Sequence, residues 1–217
     1  MSGAYVITKR IFDVVGAAAV VLLLSPLMVL LYLLVRLTSR GPGLFIQQRA
    51  GKGGANFPLL KFRTMRADLV PDPAPTIVIT ARDQAVTPVG RVLRRLRLDE
   101  LPQLFNVLTG HMSLVGPRPT VPEQVAQYDA FKRRRLEVPP GITGLAQVSG
   151  GTGLTWDERI EWDVWYVDHR GPWLDLKILA RTALTILLGS RRQLRRFADV
   201  HPEEAGNREP GTGRNSE

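Results

Sequence analysis

The sequence has no cysteine and only three histidines, His111, His169 and His201. Without cysteine the chain forms neither disulfides nor thiolate metal sites. The histidines are scattered, so the sequence does not favour a histidine-based metal centre. The glycine spacings with which dinucleotide-binding and Walker-type proteins hold phosphates are also missing. These absences exclude several common routes to metal and nucleotide binding.

Negative charge is scarce relative to positive charge. The 217 residues include 29 lysines and arginines against 20 aspartates and glutamates, which gives a net charge of +9. Such an excess indicates a polyanionic partner, whether nucleic acid, anionic lipid headgroups or a phosphorylated substrate. Charge alone does not choose among these partners. The length suits one domain with attachments, and a hydrophobic content of 44% is enough for a packed core.

Charge of either sign is missing from the apolar run between Val14 and Val35. At ~1.5 Å per residue, a helix of this length covers a hydrocarbon core of ~30 Å. The run is long and no small-residue cleavage site follows it, which argues against a signal peptide. The sequence therefore predicts a membrane helix.

Ser25-Pro26 lies in the middle of this run. Proline removes a backbone donor and kinks a helix, and a preceding serine can satisfy a carbonyl that the proline leaves without a donor. Basic residues flank both ends of the run: Lys9, Arg10, Arg36 and Arg40. The positive-inside preference draws both ends to the cytoplasm, which a re-entrant helix satisfies and a spanning helix does not. The residues alone leave both topologies open.

Beyond Gly41-Pro42-Gly43 the pattern predicts an α/β, mostly helical domain with a small β-hairpin. The hairpin joins residues 44–49 to residues 57–62 through a glycine-rich turn, and residues 76–80 form a candidate short strand. Two capping-box patterns, Thr120 to Glu123 and Thr155 to Glu158, predict helix starts. The predicted helices cover residues 91–98, 99 to just before 110, 120–134, 155–168 and 173–188.

This pattern divides the chain into a membrane-embedded segment (1–40), a membrane-associated domain (41–190) and a basic segment with a disordered tail (191–217). The helix at 173–188 is apolar but carries three charges, so we expect it to lie in the bilayer interface. Arginines beyond it extend a basic face toward anionic lipid. The four tryptophans, all between Trp156 and Trp173, suit either a bilayer surface or the core.

Asp99 and Glu100 are adjacent acids that follow a strongly basic segment. Positive neighbours and the start of a helix predict that both carboxylates have low pKa values and stay ionised. An ionised aspartate beside a divalent cation suits covalent catalysis at phosphorus. For an arbitrary Asp-Glu pair, helix capping with surface ion pairs is the commoner role.

Several other residues are candidates for ligand binding. The string Gly116-Pro117-Arg118-Pro119 fixes the backbone around one guanidinium, which suits phosphate binding but also an ordinary turn. Strand alternation places Lys61 and Arg63 on one face, where they bind phosphate or face solvent. Asp163 is a candidate ligand or polar anchor, although a surface role is at least as common for such a residue. Thr152, in a glycine-rich loop, is a candidate nucleotide contact.

Several strings, taken in order, resemble the bacterial sugar transferase family, whose members are also called monotopic phosphoglycosyl transferases. They are Leu98-Asp-Glu-Leu-Pro-Gln103, Asn106-Val-Leu, Ser113-Leu-Val-Gly-Pro-Arg-Pro119, Pro140 to Val148, and Asp163 with Tyr166-Val167. Further matches are Lys9-Arg10 with Asp13, Ser25-Pro26 and Lys61-Phe-Arg63. The resemblance covers about residues 7–189.

The resemblance implies a re-entrant helix at Ser25-Pro26 and a catalytic pair formed by Asp99 and Glu100. Asp99 would attack the β-phosphate of a UDP-sugar, forming an aspartyl phosphosugar and releasing UMP. Undecaprenyl phosphate, a polyprenyl phosphate, would then accept the phosphosugar, which initiates a bacterial polysaccharide or glycoconjugate. Glu100 would help to hold Mg²⁺.

The same resemblance implies that Arg118 and Arg94 bind phosphate. It also places a minimal form of the family on the cytosolic face of the bacterial cytoplasmic membrane, in contact with inner-leaflet phospholipids. The chain departs from the family pattern at Ser149-Gly150-Gly151, where members often have Asn-Gly-Arg, and at Arg97, where a small hydroxyl residue is common. The sequence does not identify the sugar.

Three other functions compete with this interpretation. A nucleic-acid-binding protein fits the charge, but the membrane segment and the tryptophan placement argue against it, so we expect no nucleic-acid partner. A membrane scaffold without catalytic activity gives Asp99 and Glu100 no role. A phosphatase acting on polyprenyl diphosphate can also use an aspartyl phosphate, but it releases inorganic phosphate rather than UMP.

Overall fold

The computed structural model describes residues 3–66, 85–188 and 196–203. The helices are α1 (Gly3–Thr38), α2 (Pro88–Arg95), α3 (Gln103–Leu108), α4 (Pro122–Ala126), α5 (Ala130–Arg133), α6 (Leu145–Ser149), α7 (Trp156–His169), α8 (Pro172–Leu188) and α9 (Phe197–Val200). The strands are β1 (Leu44–Ala50), β2 (Asn56–Phe62), β3 (Ser113–Val115) and β4 (Gly141–Thr143). The expected mostly helical fold with a small hairpin is confirmed.

Helix α1 is long and apolar enough to cross a membrane, and most of it is exposed. It continues through Pro26 without interruption. Pro26 has no N–H to donate to the carbonyl of Leu22, and the Ser25 hydroxyl donates to that oxygen instead, at 2.9 Å. The expected role of the serine is confirmed. The re-entrant topology stays a prediction.

Polar side chains near the start of α1 attach it to the rest of the chain. Arg10 donates hydrogen bonds of 2.6 and 2.9 Å to the carbonyls of Val107 and Leu108, at the end of α3 where carbonyls lack helical partners. Lys9 forms an ion pair of 2.8 Å with Asp175 at the start of α8. Helix α1 is therefore fixed to the elements that surround the candidate site.

The predicted β-hairpin is confirmed. Strands β1 and β2 are antiparallel, with Leu44 opposite Phe62 and Ala50 opposite Asn56. The turn between them uses Gly53 and Gly54 at φ 67° and 83°, a region that favours glycine. Strands β3 and β4 form a second, parallel pair. The strand expected at residues 76–80 lies outside the described residues.

The helix predicted from Thr120 to Arg134 is wrong. Thr120 is buried, and its carbonyl accepts a hydrogen bond of 2.9 Å from the Ala50 amide, so it extends the strand edge and caps no helix. Two short helices, α4 and α5, replace the long one, and Asp129 caps the second by accepting from the Lys132 amide at 2.7 Å. The other capping box, at Thr155 and Glu158, is confirmed at the start of α7.

The two helices predicted around residues 91–110 are displaced. Helix α2 begins earlier, after Thr87, whose hydroxyl accepts from the Gly90 amide at 2.9 Å. It ends before Arg97, which has a left-handed backbone at φ 57°. A 3-10 turn over Leu98–Glu100 follows, and α3 begins only at Gln103. The backbone reversal at Arg97 is what places the two acids in a turn.

Helix α9 lies at the point where a polar tail was expected to begin, at about residue 198, and it packs on the core through its first residue. Phe197, the first residue of α9, is fully buried and packs edge-on against Trp162 at 5.2 Å between ring centroids. Trp162 is itself a core residue, whereas Trp173 is 67% exposed. The tryptophans therefore divide between the core and the surface. Residues 204–217 lie outside the described residues, and the domain boundaries at 40 and 190 stay predictions.

Candidate active site

The turn that carries Asp99 and Glu100 is fixed on both sides by apolar packing. Leu98 and Leu101 pack against a cluster of α1, β2 and α2 side chains that includes Leu31 and Leu93. Between these two anchors, Glu100 is only 9% exposed and Asp99 is half-buried. Helix α1 therefore contributes directly to the position of both acids.

Glu100 is bound by two cations from other parts of the chain. One of its oxygens, Oε1, accepts from Lys61 Nζ at 3.1 Å and from Arg118 Nη2 at 2.6 Å. Burial alone favours the neutral acid, but the charges and hydrogen bonds of Arg118 and Lys61 outweigh it and lower the pKa of Glu100 to about 2. Glu100 is therefore ionised, as predicted.

Asp99 has a different environment. No other residue in the described part of the chain donates a hydrogen bond to its carboxylate. Burial and the adjacent charge of Glu100 raise the pKa of Asp99, and the charges of Lys61 and Arg94 oppose this only in part. The predicted low pKa is thus wrong for Asp99, because the cations that precede it in sequence do not bind it. A carboxylate with so few partners is available to react.

Arg118 is presented by a rigid backbone. The Gly116 amide donates to the Thr143 carbonyl at 2.9 Å, and the Gly141 amide donates to the Pro117 carbonyl at 2.8 Å. A Cβ on Gly116 would lie 2.6 Å from the Pro139 oxygen, so this position has no room for a side chain. The Arg118 side chain remains 43% exposed beside Glu100, where it can reach a ligand.

A buried ion pair stabilises the turn that carries Arg118. Arg135 donates to the Arg118 carbonyl at 3.0 Å and to Tyr128 Oη at 2.8 Å, and it pairs with Asp163. Both charged side chains are 2% exposed. Asp163 therefore acts as a polar anchor, the surface role is wrong because the side chain is buried, and the ligand role stays a prediction. No sequence pattern singles out Arg135, which is the third arginine in a row of three.

Two of the candidate cations form their hydrogen bonds with residues other than the two acids. Arg63 donates from Nη2 to the carbonyl and hydroxyl oxygens of Ser39, at 2.8 and 2.7 Å, and it is 6% exposed. Strand β2 ends at Phe62, so the alternation that placed Arg63 beside Lys61 stops there, and Arg63 ties β2 to the end of α1. Arg94 donates from Nε to Thr64 Oγ1 at 2.8 Å and faces Asp99 through its charge alone.

Thr152 is exposed on a 3-10 turn over Gly151–Gly153. Among the described residues it makes no hydrogen bond with Asp99, Glu100 or Arg118. The structure therefore brings together Asp99, Glu100, Lys61 and Arg118, with Arg94 at the edge, and leaves Thr152 outside this group.

A family model described as bacterial sugar transferase matches residues 4–189. The chain belongs to the bacterial sugar transferase family. It is 41% identical over 188 residues to EpsL, an uncharacterized sugar transferase of Bacillus subtilis, covering 84% of this chain and 88% of that protein. It is 44% identical over 191 residues to the UDP-glucose:undecaprenyl-phosphate glucose-1-phosphate transferase of Caulobacter vibrioides, covering 82% and 69% respectively.

A longer relative is the undecaprenyl-phosphate galactose phosphotransferase of Salmonella typhimurium. The identity is 40% over 193 residues, which cover 82% of this chain but only 40% of that protein. The family and these relatives make the chain a phosphoglycosyl transferase. The sequence resemblance is confirmed, and the matched range contains Asp99 and Glu100 together with the predicted cations Lys61, Arg63, Arg94 and Arg118.

The transferase also has an apolar cleft that the sequence did not indicate. Its volume is about 180 Å³, and it opens between α1 and α8 beside Glu100. Its lining is mostly apolar, with Arg97 and Glu100 at one end. The lining residues are Val20, Arg97, Glu100, Leu101, Leu104, Ile142, Thr143, Gln147, Val148, Thr182, Thr185 and Ile186.

The carboxylates of the transferase suit a magnesium ion only in combination with substrate. No group of three or more metal-ligating side chains occurs among the described residues. Mg²⁺ commonly takes one or two carboxylates and completes its shell with substrate phosphates and water. Glu100 Oε2 and the Asp99 carboxylate are the oxygens left for such an ion, because Glu100 Oε1 is already paired with Lys61 and Arg118.

The close packing around Gly116 gives a test of how Arg118 is positioned. Gly116→Ala places a methyl group against the Pro139 carbonyl, and we expect it to reduce the free energy of unfolding by about 1–3 kcal/mol and to reduce transferase activity. Thermal unfolding in detergent and a transfer assay measure the two effects. Gly171→Ala is the matched control, since a Cβ there meets nothing within 4 Å. Equal behaviour of the two variants would contradict the rigid presentation of Arg118.

Proposed function

We propose that this transferase moves a sugar 1-phosphate from a UDP-sugar to undecaprenyl phosphate through an aspartyl-phosphosugar intermediate. The observation that carries the proposal is the asymmetry of the two acids. Glu100 is engaged by Lys61 and Arg118, whereas the half-buried Asp99 has no hydrogen-bonding partner among the other described residues. The names of the Caulobacter and Salmonella relatives describe transfer of glucose 1-phosphate and galactose phosphate to undecaprenyl phosphate.

In the first half-reaction an oxygen of Asp99 forms a bond to the β-phosphorus of the donor. The bond between that phosphorus and the bridging oxygen breaks, and UMP leaves with the bonding electrons. Arg118 and Lys61 face this centre and offset the negative charge that develops on the phosphoryl oxygens. The positive charge of Arg94, which also acts on Asp99, contributes to the same stabilisation.

In the second half-reaction a phosphate oxygen of undecaprenyl phosphate attacks the same phosphorus. The bond to Asp99 breaks, which restores the carboxylate and yields a diphosphate-linked sugar on the lipid. The apolar cleft beside Glu100 suits the first isoprene units of this acceptor, because it joins the acid pair to the membrane helix α1. Product of this kind initiates a polysaccharide or glycoconjugate.

Magnesium is the cofactor we propose, with Glu100 as the protein ligand through the oxygen not used by Lys61 and Arg118. When bound, such an ion neutralises charge on the donor diphosphate and orients it. The protein's own cations hold Glu100 ionised, which keeps this oxygen a suitable ligand.

The proposed location is the cytosolic face of the bacterial cytoplasmic membrane, with α1 entering the inner leaflet and returning at Ser25-Pro26. The exposed leucines of α1 support contact with lipid, including Leu22 at 76% and Leu37 at 83%. Helix α8 is fixed to α1 by the Lys9–Asp175 ion pair. It exposes Leu184 and Trp173, and Lys177 Nζ lies 5.4 Å from the centre of the Trp173 ring. This combination suits a helix lying among inner-leaflet phospholipids.

The reaction class is tested by UMP release. Wild-type protein in lipid nanodiscs with Mg²⁺ and undecaprenyl phosphate is supplied with a panel of UDP-sugars. We expect UMP from at least one donor, and a rate below about 10⁻³ of this value for Asp99→Asn, because the amide is a poor nucleophile. The substitution is isosteric and removes a charge next to Glu100, so the variant is expected to fold.

Arg134→Gln serves as the active control in this assay, because Arg134 has a 42% exposed side chain and pairs with Asp168 rather than with the site. Release of inorganic phosphate in place of UMP would contradict the proposal and indicate a phosphatase. Full UMP release by Asp99→Asn would show that Asp99 is not the nucleophile. If folded protein released no UMP from any donor, the result would favour a membrane scaffold without catalytic activity.

The acceptor cleft is tested by filling it. Thr185→Phe inserts a ring between α8 and α1, and we expect the KM for undecaprenyl phosphate to rise about tenfold, which corresponds to the loss of ~1.4 kcal/mol of apolar contact. The KM for the UDP-sugar should not change. Leu184→Phe is the matched control, because Leu184 is 55% exposed and does not line the cleft. An unchanged acceptor KM in Thr185→Phe would place the lipid chain elsewhere.

A further inference from the structure

Three arginines from separate elements lie around the turn after β3. Arg49 belongs to the end of β1, Arg118 to the turn itself and Arg159 to α7. The Ala50 amide donates to the Thr120 carbonyl at 2.9 Å, which holds the end of β1 against this turn. The chain therefore brings Arg49 next to the segment that presents Arg118.

Arg159 reaches the same turn from the other side. Its guanidinium lies 6.0 Å from the centre of the Trp156 ring, and that of Arg135 lies 5.5 Å from the same ring. Arg135 in turn donates to the Arg118 carbonyl at 3.0 Å. Trp156 and Arg135 thus link Arg159 to the backbone of Arg118.

Only one of these three arginines has a carboxylate partner among the described residues. Arg118 has a carboxylate partner in Glu100, but Arg49 and Arg159 form no ion pair with a carboxylate anywhere in the described ranges. Arg49 Nη2 donates to the uncharged Gln47 side chain at 2.7 Å, and its buried Nε has no hydrogen-bond partner. Arg159 Nε donates to the Leu154 carbonyl at 3.1 Å, which leaves both terminal nitrogens as donors.

The electrostatics agree with this geometry. Burial, followed by the charge of Arg118, lowers the pKa of Arg49 to about 10, although Glu123 acts in the opposite direction. The same two causes lower the pKa of Arg159, against the opposing charge of Asp163. Positive charge is therefore in local excess around Arg118, and a bound anion would relieve the repulsion and supply acceptors for the donors that lack them.

We propose that Arg49 and Arg159, together with Arg118, bind the phosphate of a nucleoside monophosphate group, the part of the donor that leaves when the β-phosphate is attacked. This assignment rests on the proposed function. Arg118 forms an ion pair with Glu100, and its charge also acts on Arg49 and Arg159, so it links the acid pair to the two other cations. The transferred phosphate is placed at Asp99, and the phosphate that stays with the nucleoside is placed at Arg49 and Arg159.

The assignment also explains why Trp156 and the buried Arg135–Asp163 pair lie beside this site. Arg135 holds the Arg118 carbonyl, and the Trp156 ring positions the Arg159 guanidinium. Guanidinium groups suit this task because their paired donors match phosphate oxygens. The same site is expected to retain UMP as a product inhibitor.

The test measures binding without turnover. Asp99→Asn protein in nanodiscs is titrated calorimetrically with UMP, uridine and inorganic phosphate in the presence of Mg²⁺. We expect UMP to bind more tightly than either fragment. Arg49→Gln and Arg159→Gln are each expected to weaken UMP binding about tenfold and to leave the uridine affinity unchanged, since each loses a charge-assisted hydrogen bond. Arg49→Lys keeps the charge but not the paired donors, so its UMP affinity should lie between that of Arg49→Gln and that of the parent protein.

Arg134→Gln is the matched control, because it removes the same charge from an exposed side chain that pairs with Asp168. Its UMP affinity should equal that of the parent, which separates a local site from a general effect of net charge. Thermal unfolding of each variant checks the fold, and Arg159→Gln alone decides the question if Arg49→Gln does not fold.

The outcomes separate this site from the proposed function. Unchanged UMP affinity in folded Arg159→Gln would overturn the site, even if the UMP-release assay succeeds. Equal binding of inorganic phosphate and UMP would overturn it as a nucleotide site. Arginine-dependent UMP binding without any transfer to undecaprenyl phosphate would support the site and count against the proposed reaction.

Discussion

The arrangement of the site depends on the ion pairs of Glu100. One carboxylate oxygen binds Lys61 of β2 and Arg118 of the turn after β3, so three separate parts of the chain meet at one buried charge. A buried carboxylate with two cations and hydrogen bonds is stable as an ion, and truncating it would leave both cations uncompensated. Because Glu100 takes these partners, the adjacent Asp99 keeps none of them. The fold thus produces one structural carboxylate and one available for reaction.

The contacts around Glu100 fix the elements of the site to each other and to helix α1. The polar residues at the start of α1 bind the end of α3 and the start of α8, while the apolar second half of α1 packs against the turn that carries the acids. On the opposite side, Arg135 and Asp163 hold the backbone of Arg118. A soluble nucleotide sugar and a lipid phosphate can meet at such a site, because it lies between a cationic surface and an apolar cleft beside the membrane helix.

Features determined by neighbours in sequence were predictable, and features determined by distant contacts were not. The hairpin, the serine beside Pro26 and the capping box at Thr155 follow from local patterns, and the structure has all three. Thr120 carries the same capping pattern as Thr155, yet its pairing with Ala50 of β1 overrides the pattern. The pKa of Asp99 was misjudged because its burial, which depends on distant packing, and the charge of Glu100 outweigh the charges of Lys61 and Arg94. Nothing local distinguishes Arg135 from the arginines before it, since only its ion pair with Asp163 makes it special.

The covalent role of Asp99 is tested most directly by trapping the phosphosugar on the protein. Wild-type protein is mixed with an active UDP-sugar and Mg²⁺ without undecaprenyl phosphate, quenched in acid, digested and analysed by mass spectrometry. The expected result is a sugar phosphate ester on the peptide that contains Asp99, formed together with an equivalent amount of UMP and lost when undecaprenyl phosphate is added before the quench. UMP formation that requires the acceptor, with no modified peptide at any time, would contradict the aspartyl intermediate and indicate direct transfer.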